Sequence, residues 1–315
     1  MTSELFLPRV TAAAAFLGGR IRRTPVEQSP NLGASVWLKL ESLQITGSFK
    51  VRGAWWRLHN ATEAERKTGV ASCSAGNHGK GLALAAREEG IRATIFVPKS
   101  VDQAKYKGML AYGADVRRSE FDGYDETEAW AKAEATRLGM PFISAFDDYD
   151  VMAGNGGTLA MECIEQLPGI RNYVVPVGGG GLAAGFATVL KDKFPQSVLI
   201  GCQHELSPAL KLSLDRGSAV TQLPAVETIA SGVEGGIGAL TFPMLQHRID
   251  GVVLVNEEEI REAVRWMIRE HQYLIEPTSA VTLAACLNGR VQLNEPTCVL
   301  LCGRNVSAEL LKKIM

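Results

Sequence analysis

The 315-residue sequence lacks several features that would place it in an easily named class. None of its six cysteines (Cys73, Cys163, Cys202, Cys286, Cys298 and Cys302) belongs to a Cys-x-x-Cys pair or a Cys/His cluster. Neither a structural zinc nor a disulfide framework is expected, and free thiols point to a reducing cytoplasm. Neither sign of charge dominates: 33 Lys+Arg face 34 Asp+Glu, the net charge is −1, and no like-charged block exceeds Glu257-Glu258-Glu259. Nucleic-acid and membrane-surface partners call for a basic excess and are not expected. No long apolar run is fit to cross a membrane. The longest uncharged stretch, residues 172–190, is interrupted by Pro176 and the run Gly178 to Gly181 and reads as strand–loop–helix. Residues 10–19 have the apolarity of a signal segment. However, Glu4 precedes them, and Gly18-Gly19 followed by Arg20, Arg22 and Arg23 favours a helix end. There is no internal repeat, low-complexity tract or linker.

What is present is a core and a rhythm. At 46% hydrophobic and 21% charged, the chain can bury a large core, and its length fits two domains or one large α/β unit. Short β-branched runs, glycine-rich turns and Ala/Leu-rich helical stretches follow one another. The first series predicts strands at 69–73, 92–97, 115–118 and 141–144, with helices at 79–89, 103–112 and 127–138. The second predicts strands at 173–177, 198–203, 251–255 and 297–301, with helices at 182–191, 257–270 and 278–287. Asn256 is the expected N-cap of the 257–270 helix, whose first turn is acidic. Such alternation implies βαβ units: an α/β protein with two parallel-rich open sheets flanked by helices. The series break near residues 145–155. Because the first begins after residue 50, residues 1–50 and 146–315 are expected to form a discontinuous larger domain, and 51–145 a small mobile one.

Three segments carry chemistry. Lys50 ends Thr46-Gly47-Ser48-Phe49-Lys50, beside an apolar run. A partly desolvated lysine favours its neutral form, which suits imine formation and proton transfer, although most lysines are surface groups. Ser74-Ala75-Gly76-Asn77-His78-Gly79 joins a strand to a helix. Such a junction offers backbone N–H groups and the positive end of a helix dipole, so a carboxylate is its natural guest. An ordinary capped turn is the plain alternative. Gly178, Gly179, Gly180 and Gly181 lie between a strand and a helix, where their N–H groups can wrap a phosphate. The same segment matches G-x-G-x-x-A at Gly179, Gly181 and Ala184. Glu205 ends a later strand where a ribose-binding acid would sit, so a dinucleotide site stays open here.

Taken in order, Lys50, the Asn77 loop, the four glycines and Cys302-Gly303-Arg304-Asn305 resemble the fold-type II pyridoxal-phosphate enzymes, tryptophan synthase β-like in architecture. Within them the likeness is to the serine/threonine dehydratase and serine racemase branch, and it runs from Arg23-Thr24-Pro25 to Val306. It implies pyridoxal 5′-phosphate held by Lys50 as an imine, with Lys50 later moving the Cα proton. It implies that Phe49 packs on the pyridine ring, that Asn77 meets the 3′ oxygen, and that Gly178, Gly179, Gly180 and Gly181 hold the phosphate. Cys302 would face the ring nitrogen, Gly232 and Glu276 would line the site, and Ser74, Ala75, Gly76, Asn77 and His78 would bind the substrate carboxylate. Cys302 is no carboxylate and cannot hold the ring nitrogen as a cation. The weaker electron sink favours loss of a β-hydroxyl, which the phosphate, with a second pKa of about 6, can protonate.

Departures from the family pattern also carry implications. Racemases of this branch use a serine opposite the lysine; the matching Ala75 has no proton to transfer. Relatives that bind a divalent cation use an acidic pair where this chain has Gln203 and Ala209, with Ser207 between. No metal ligand is therefore expected, and a monovalent cation or no ion suits the site. No regulatory extension follows, so end-product control is not expected. Arg304 is a candidate bidentate donor to the cofactor phosphate or an acidic substrate group. Trp55 and Trp56 are expected to pack the helix after Lys50. The resulting expectation is a cytoplasmic, homodimeric hydroxyamino-acid dehydratase (an ammonia-lyase) acting on a small-molecule amino acid. Its substrate would be of the threonine, serine, phenylserine or hydroxyaspartate type, converted to a 2-oxo acid and ammonia. An amino-acid racemase of the same family, a dinucleotide-dependent oxidoreductase and a non-catalytic binding protein are the alternatives.

Overall fold

Two sheets organise the computed structural model, which describes residues 2–74 and 76–315. The strands in chain order are β1 (Val26–Gln28), β2 (Val36–Leu40), β3 (Val70–Cys73), β4 (Ala93–Val97) and β5 (Asp115–Arg118). They continue as β6 (Asn172–Pro176), β7 (Val198–His204), β8 (Gly251–Val255) and β9 (Thr297–Leu301). The six-stranded sheet runs β1-β2-β9-β6-β7-β8 and the three-stranded sheet β3-β4-β5. Every pairing is parallel except the edge pair β1–β2. The central strands β4 and β9 (ATIFV and TCVLL) are buried along their whole length, which parallel strands covered on both faces require. All six cysteines are buried and unpaired.

The helices begin where local chemistry starts them. Asn256 accepts the N–H of Glu259, and the Glu259 side chain accepts that of Asn256, closing a capping box on the Glu257–His271 helix. Pro277 opens the Pro277–Leu287 helix, where a missing N–H costs nothing.

One expectation needs correction. Residues 141–144 do not form a fourth strand; a single bridge joins Phe142 to Ala71. Pro141 has no N–H to extend the ladder, and the chain turns at Ser144, whose hydroxyl accepts from the Asp147 N–H (2.9 Å). The series break near residues 145–155 is followed by a continuous helical run: a short helix (Tyr149–Met152), a π-type turn (Ala153–Gly157) and the helix Thr158–Gln166. Glycine makes this crossing feasible: a Cβ on Gly156 would lie 2.0 Å from the Leu182 carbonyl, and one on Gly154 would lie 2.6 Å from Gly53 Cα. The helix end expected at Gly18-Gly19 closes the Ser3–Leu17 helix, which buries Phe6, Val10, Ala13 and Leu17; the strands β1 and β2 had no sequence signal.

The fold gathers the chemistry in one place. The loops after β3, β6 and β9 all leave carboxyl ends of parallel strands, the usual location for ligand sites in open α/β sheets. They open onto a common cavity between the two sheets, enclosing about 880 Å³ including space open to solvent.

Candidate active site

Lys50 is the first residue of the Lys50–His59 helix, and the core fixes its position. Phe49 N–H donates to the Cys302 carbonyl (3.1 Å), which ties the lysine to the end of β9. Gly53 N–H donates to Asn155 Oδ1 (2.8 Å), tying the helix to the π-type turn. Arg52, 2% exposed, donates to Glu41 (2.8 and 2.7 Å) and Glu162 (2.8 Å), and Lys39 reaches Glu162 (2.6 Å). The Lys50 amine points the other way, into the cavity, and donates to the Ala145 carbonyl (2.8 Å). Burial holds its pKa down at about 8, against the opposing pull of Cys302 and Glu276. A usable fraction of the amine is therefore unprotonated near neutral pH.

Opposite the amine, Gly178, Gly179, Gly180 and Gly181 run from β6 into the Gly181–Lys193 helix. Their backs are packed tight: a Cβ on Gly179 would meet the Phe146 ring at 2.4 Å, and one on Gly178 the Gly232 carbonyl at 2.5 Å. Gly180 has φ +88, a conformation costly for any other residue. The Gly179 carbonyl accepts from Gly238 N–H (3.1 Å) and Thr241 Oγ1 (2.8 Å). None of the four glycine N–H groups has a protein acceptor among the described residues. Four unoccupied donors at a helix N-terminus make an anion site. Cys302, 1% exposed, lines the same cavity. Burial raises its pKa to about 12, so it remains a thiol, with Ser279 Oγ 3.3 Å from its sulfur.

The third wall is the β3–helix junction. Ser74 Oγ accepts the N–H groups of Gly76 (3.0 Å) and Gly79 (2.8 Å) and so caps the Asn77–Glu89 helix. Its expected role at a carboxylate is thus shared with a local structural one. His78 is 2% exposed, and neither ring nitrogen has a partner. Burial, with Lys50 nearby, lowers its pKa to about 3, so the ring is neutral. Asn77 donates to Glu276 Oε1 and accepts from Asn305 Nδ2 (2.7 Å), while Lys80 donates to Asn305 Oδ1 (3.0 Å). Glu276 is buried, its other oxygen has no hydrogen-bond partner among the described residues and only the Lys105 amine 4.0 Å away, and burial raises its pKa. Ala75 lies outside the described residues.

The chain matches the family described as "Pyridoxal-phosphate dependent enzyme" over residues 18–303. It is 37% identical over 302 residues to an L-threonine ammonia-lyase of Geobacter sulfurreducens, covering 94% of this chain and 74% of that one. The chain belongs to the pyridoxal-phosphate-dependent enzymes. Its structure superposes on a processed threonine deaminase of Solanum lycopersicum with a TM-score of 0.88 at 32% identity, covering 98% of this chain and 92% of the other. Maize serine racemase matches with a TM-score of 0.89 at 28% identity, covering 98% and 95%. This pyridoxal-phosphate enzyme is of fold type II, as the order of its motifs implied.

The residues present fit the coenzyme. An amine with a depressed pKa, a cradle of unoccupied N–H groups and a protonated thiol share one cavity. Phe49, Gly76, Asn77, His78 and Gly232 line that cavity too. Glu276 reaches it through its bond to Asn77. Several wall residues escaped sequence reading: Lys105, Tyr124 and Phe146 line the cavity, and Asn305 braces Asn77, while Glu234 lines it in the same segment as Gly232. Asn305 was within reach, because it sits in the quoted Cys302–Asn305 motif. Arg304 does not line the cavity; its backbone N–H binds the Gly47 carbonyl (2.8 Å), and its charge lies near Lys80. Glu205 is exposed past the end of β7, away from the glycine loop's cavity, which removes the ribose-binding acid of the dinucleotide alternative. Trp55 and Trp56 are buried and pack with Phe16.

Proposed function

We propose that this enzyme removes water from a β-hydroxy-α-amino acid and, after water returns and ammonia leaves, releases a 2-oxo acid. The reading rests on one observation: the Lys50 amine, its pKa held down to about 8 by burial, faces both the glycine cradle and the helix N-terminus at residues 76–79. Pyridoxal phosphate bound at Lys50 supplies the electron sink that labilises the Cα–H bond. Lys50 Nζ is the base for that proton. The N–H groups of Gly178, Gly179, Gly180 and Gly181 orient the phosphate. Ser74, Gly76, Asn77 and the neutral His78 ring receive the substrate carboxylate, and Ala75 is assigned to the same loop by resemblance. Phe49 supports the cofactor ring, Asn77 meets its 3′ oxygen with the N–H that Glu276 leaves free, and Gly232 closes the side. Cys302, as a thiol, leaves the ring nitrogen uncharged, which shortens the life of any carbanion and favours elimination over racemisation.

Names given to relatives, L-threonine ammonia-lyase and threonine deaminase, support this choice of reaction. The finer parts of the reading are ours as well. The unit spanning 51–145 moves over the substrate, and the enzyme is a cytoplasmic homodimer. At most a monovalent cation assists it. Gln203 and Ser207 carry no charge and already bond the Val177 carbonyl (3.3 Å) and Gly235 N–H (3.0 Å). The test is 2-oxo-acid release by the reconstituted enzyme from threonine, serine, phenylserine and hydroxyaspartate of both configurations. Cofactor trapped on Lys50 by borohydride, with no oxo acid from any of them, would reject the dehydratase reading.

A further inference from the structure

The charges around the cavity do not balance. Lys50 is reserved for the cofactor, and the His78 ring is neutral. Lys105 is paired with Glu276 at 4.0 Å. Glu234, on the wall that follows Gly232, lines the cavity and its mouth. Asp125, at the start of the Tyr124–Arg137 helix, is close enough to raise the Glu234 pKa further, on top of the larger effect of burial. Asp125 is itself pushed up by burial while accepting the Leu223 N–H (3.2 Å). Neither carboxylate forms an ion pair among the described residues. Lys132, the cation that Asp125 senses, is paired with Glu128 at 2.7 Å. The backbone N–H of Val226 offsets part of the upward shift at Glu234, which lines the cavity with no ion-pair partner among the described residues. A half-buried acid beside a second half-buried acid, with no ion-pair partner for either, is an arrangement that a positively charged ligand group stabilises. The cavity also holds a separate, independent sign of a missing ligand: the unpartnered, 2%-exposed His78 ring.

The two ends of an amino-acid substrate fall to different walls. Its carboxylate belongs at the helix N-terminus of residues 76–79, as read above. The wall left for the side chain is the 231–234 turn, which presses on the phosphate cradle through the Gly232 carbonyl. We propose that Glu234, supported by Asp125, makes this enzyme prefer a β-hydroxy amino acid whose side chain carries a cation, such as an amine on the γ-carbon. The proposal rests on the dehydratase reading and names its substrate class. A neutral side chain of the same shape leaves the acid pair uncompensated, and an anionic one adds repulsion.

The test compares isosteres on the whole reconstituted enzyme: γ-aminothreonine against γ-methylthreonine. The expected kcat/KM ratio is about tenfold or more in favour of the amine, the size of one charge-assisted hydrogen bond. Binding of the inert pair 2,4-diaminobutanoate and norvaline, followed by the cofactor's absorption, should differ in the same direction. In Glu234→Gln the ratio should fall towards one, and in Glu234→Asp it should recover in part. The wild-type comparison stands even if a variant fails to fold. A wild-type ratio near or below one overturns the inference while leaving the dehydratase reading in place. An equal fall in kcat for both substrates in Glu234→Gln, with the ratio kept, overturns it in favour of a proton-transfer role for Glu234. Absence of 2-oxo acid from both isosteres and from threonine, serine, phenylserine and hydroxyaspartate overturns both readings.

Discussion

On the six-stranded side of the cavity, Lys50 and the glycine loop are held by the protein's interior. Arg52 lies between Glu41 and Glu162, Gly53 binds Asn155, and Phe146 fills the space behind Gly179. On the three-stranded side, residues 74–79 are capped locally by Ser74 and meet the other wall through few bonds. These are Asn77 to Glu276, Asn305 to Asn77 and Lys80 to Asn305, with Asp125 to the Leu223 N–H farther along. The first wall is therefore fixed through the core, whereas the polar contacts of the second wall across the cavity are few. Chemistry that must be aligned in advance sits on the first wall.

The most severe way to break the comparison is at the amine. Lys50→Ala should leave the fold intact and lower 2-oxo-acid release by about 10⁴-fold or more, since one group serves as both anchor and base. Mass spectrometry after borohydride treatment should find no cofactor attached to the variant. The wild-type apoprotein sharpens the point through pH. Only the neutral amine attacks an aldehyde, and burial holds the pKa at about 8. The rate of cofactor attachment should rise roughly tenfold per pH unit up to that value and then level off. An unshifted lysine would keep rising to beyond pH 10.

Next comes the support behind the amine. Arg52→Ala removes the cation from between two buried carboxylates and should cost about 3–5 kcal/mol, read as a fall in denaturation midpoint. Equal loss from an exposed pair such as Arg87 with Glu88 would show that the first wall owes nothing special to this network. Surface pairs contribute at most about 1 kcal/mol.

These two walls were not equally legible in the sequence. The parallel strands could be read because each is a short apolar run between turn residues, and β5, β8 and β9 fall where periodicity put them. The glycine loop and Lys50 lie in contiguous motifs, so spacing alone picked them out. Strands β1 and β2 were illegible: one is three residues long and the other carries a lysine, Lys39, whose burial depends on Glu162, 123 residues away in the chain. The side-chain wall was hidden for a similar reason. Glu234 and Asp125 look like ordinary surface acids until the fold puts Glu234 on the cavity wall and Asp125 close behind it. In Cys302-Gly303-Arg304-Asn305 the eye was drawn to the charge, while the contact belongs to the amide. Gly47, at φ +78, leaves room for it: a Cβ there would lie 2.7 Å from Asn305 Oδ1.

That pair of neighbours gives the smallest and most discriminating effects. Asn305 donates to Asn77 and to the Thr46 carbonyl (2.9 Å) and accepts from Lys80, so it joins the two walls. Asn305→Ala should lower kcat/KM by about two- to tenfold, the worth of one or two neutral hydrogen bonds, with little change in thermal stability. A large loss of stability with unchanged kinetics would assign Asn305 to the fold instead. Arg304 is adjacent in sequence, but its side chain has no contact with the cavity, and its charge faces Lys80, which it repels. Arg304→Ala should leave cofactor retention and kcat/KM within about twofold, because a partly exposed charge far from the reacting atoms contributes little. If that variant instead loses cofactor, the guanidinium reaches the phosphate in the working enzyme. The cradle would then not be made by backbone N–H groups alone, and the first wall would lose its claim to be fixed through the core alone.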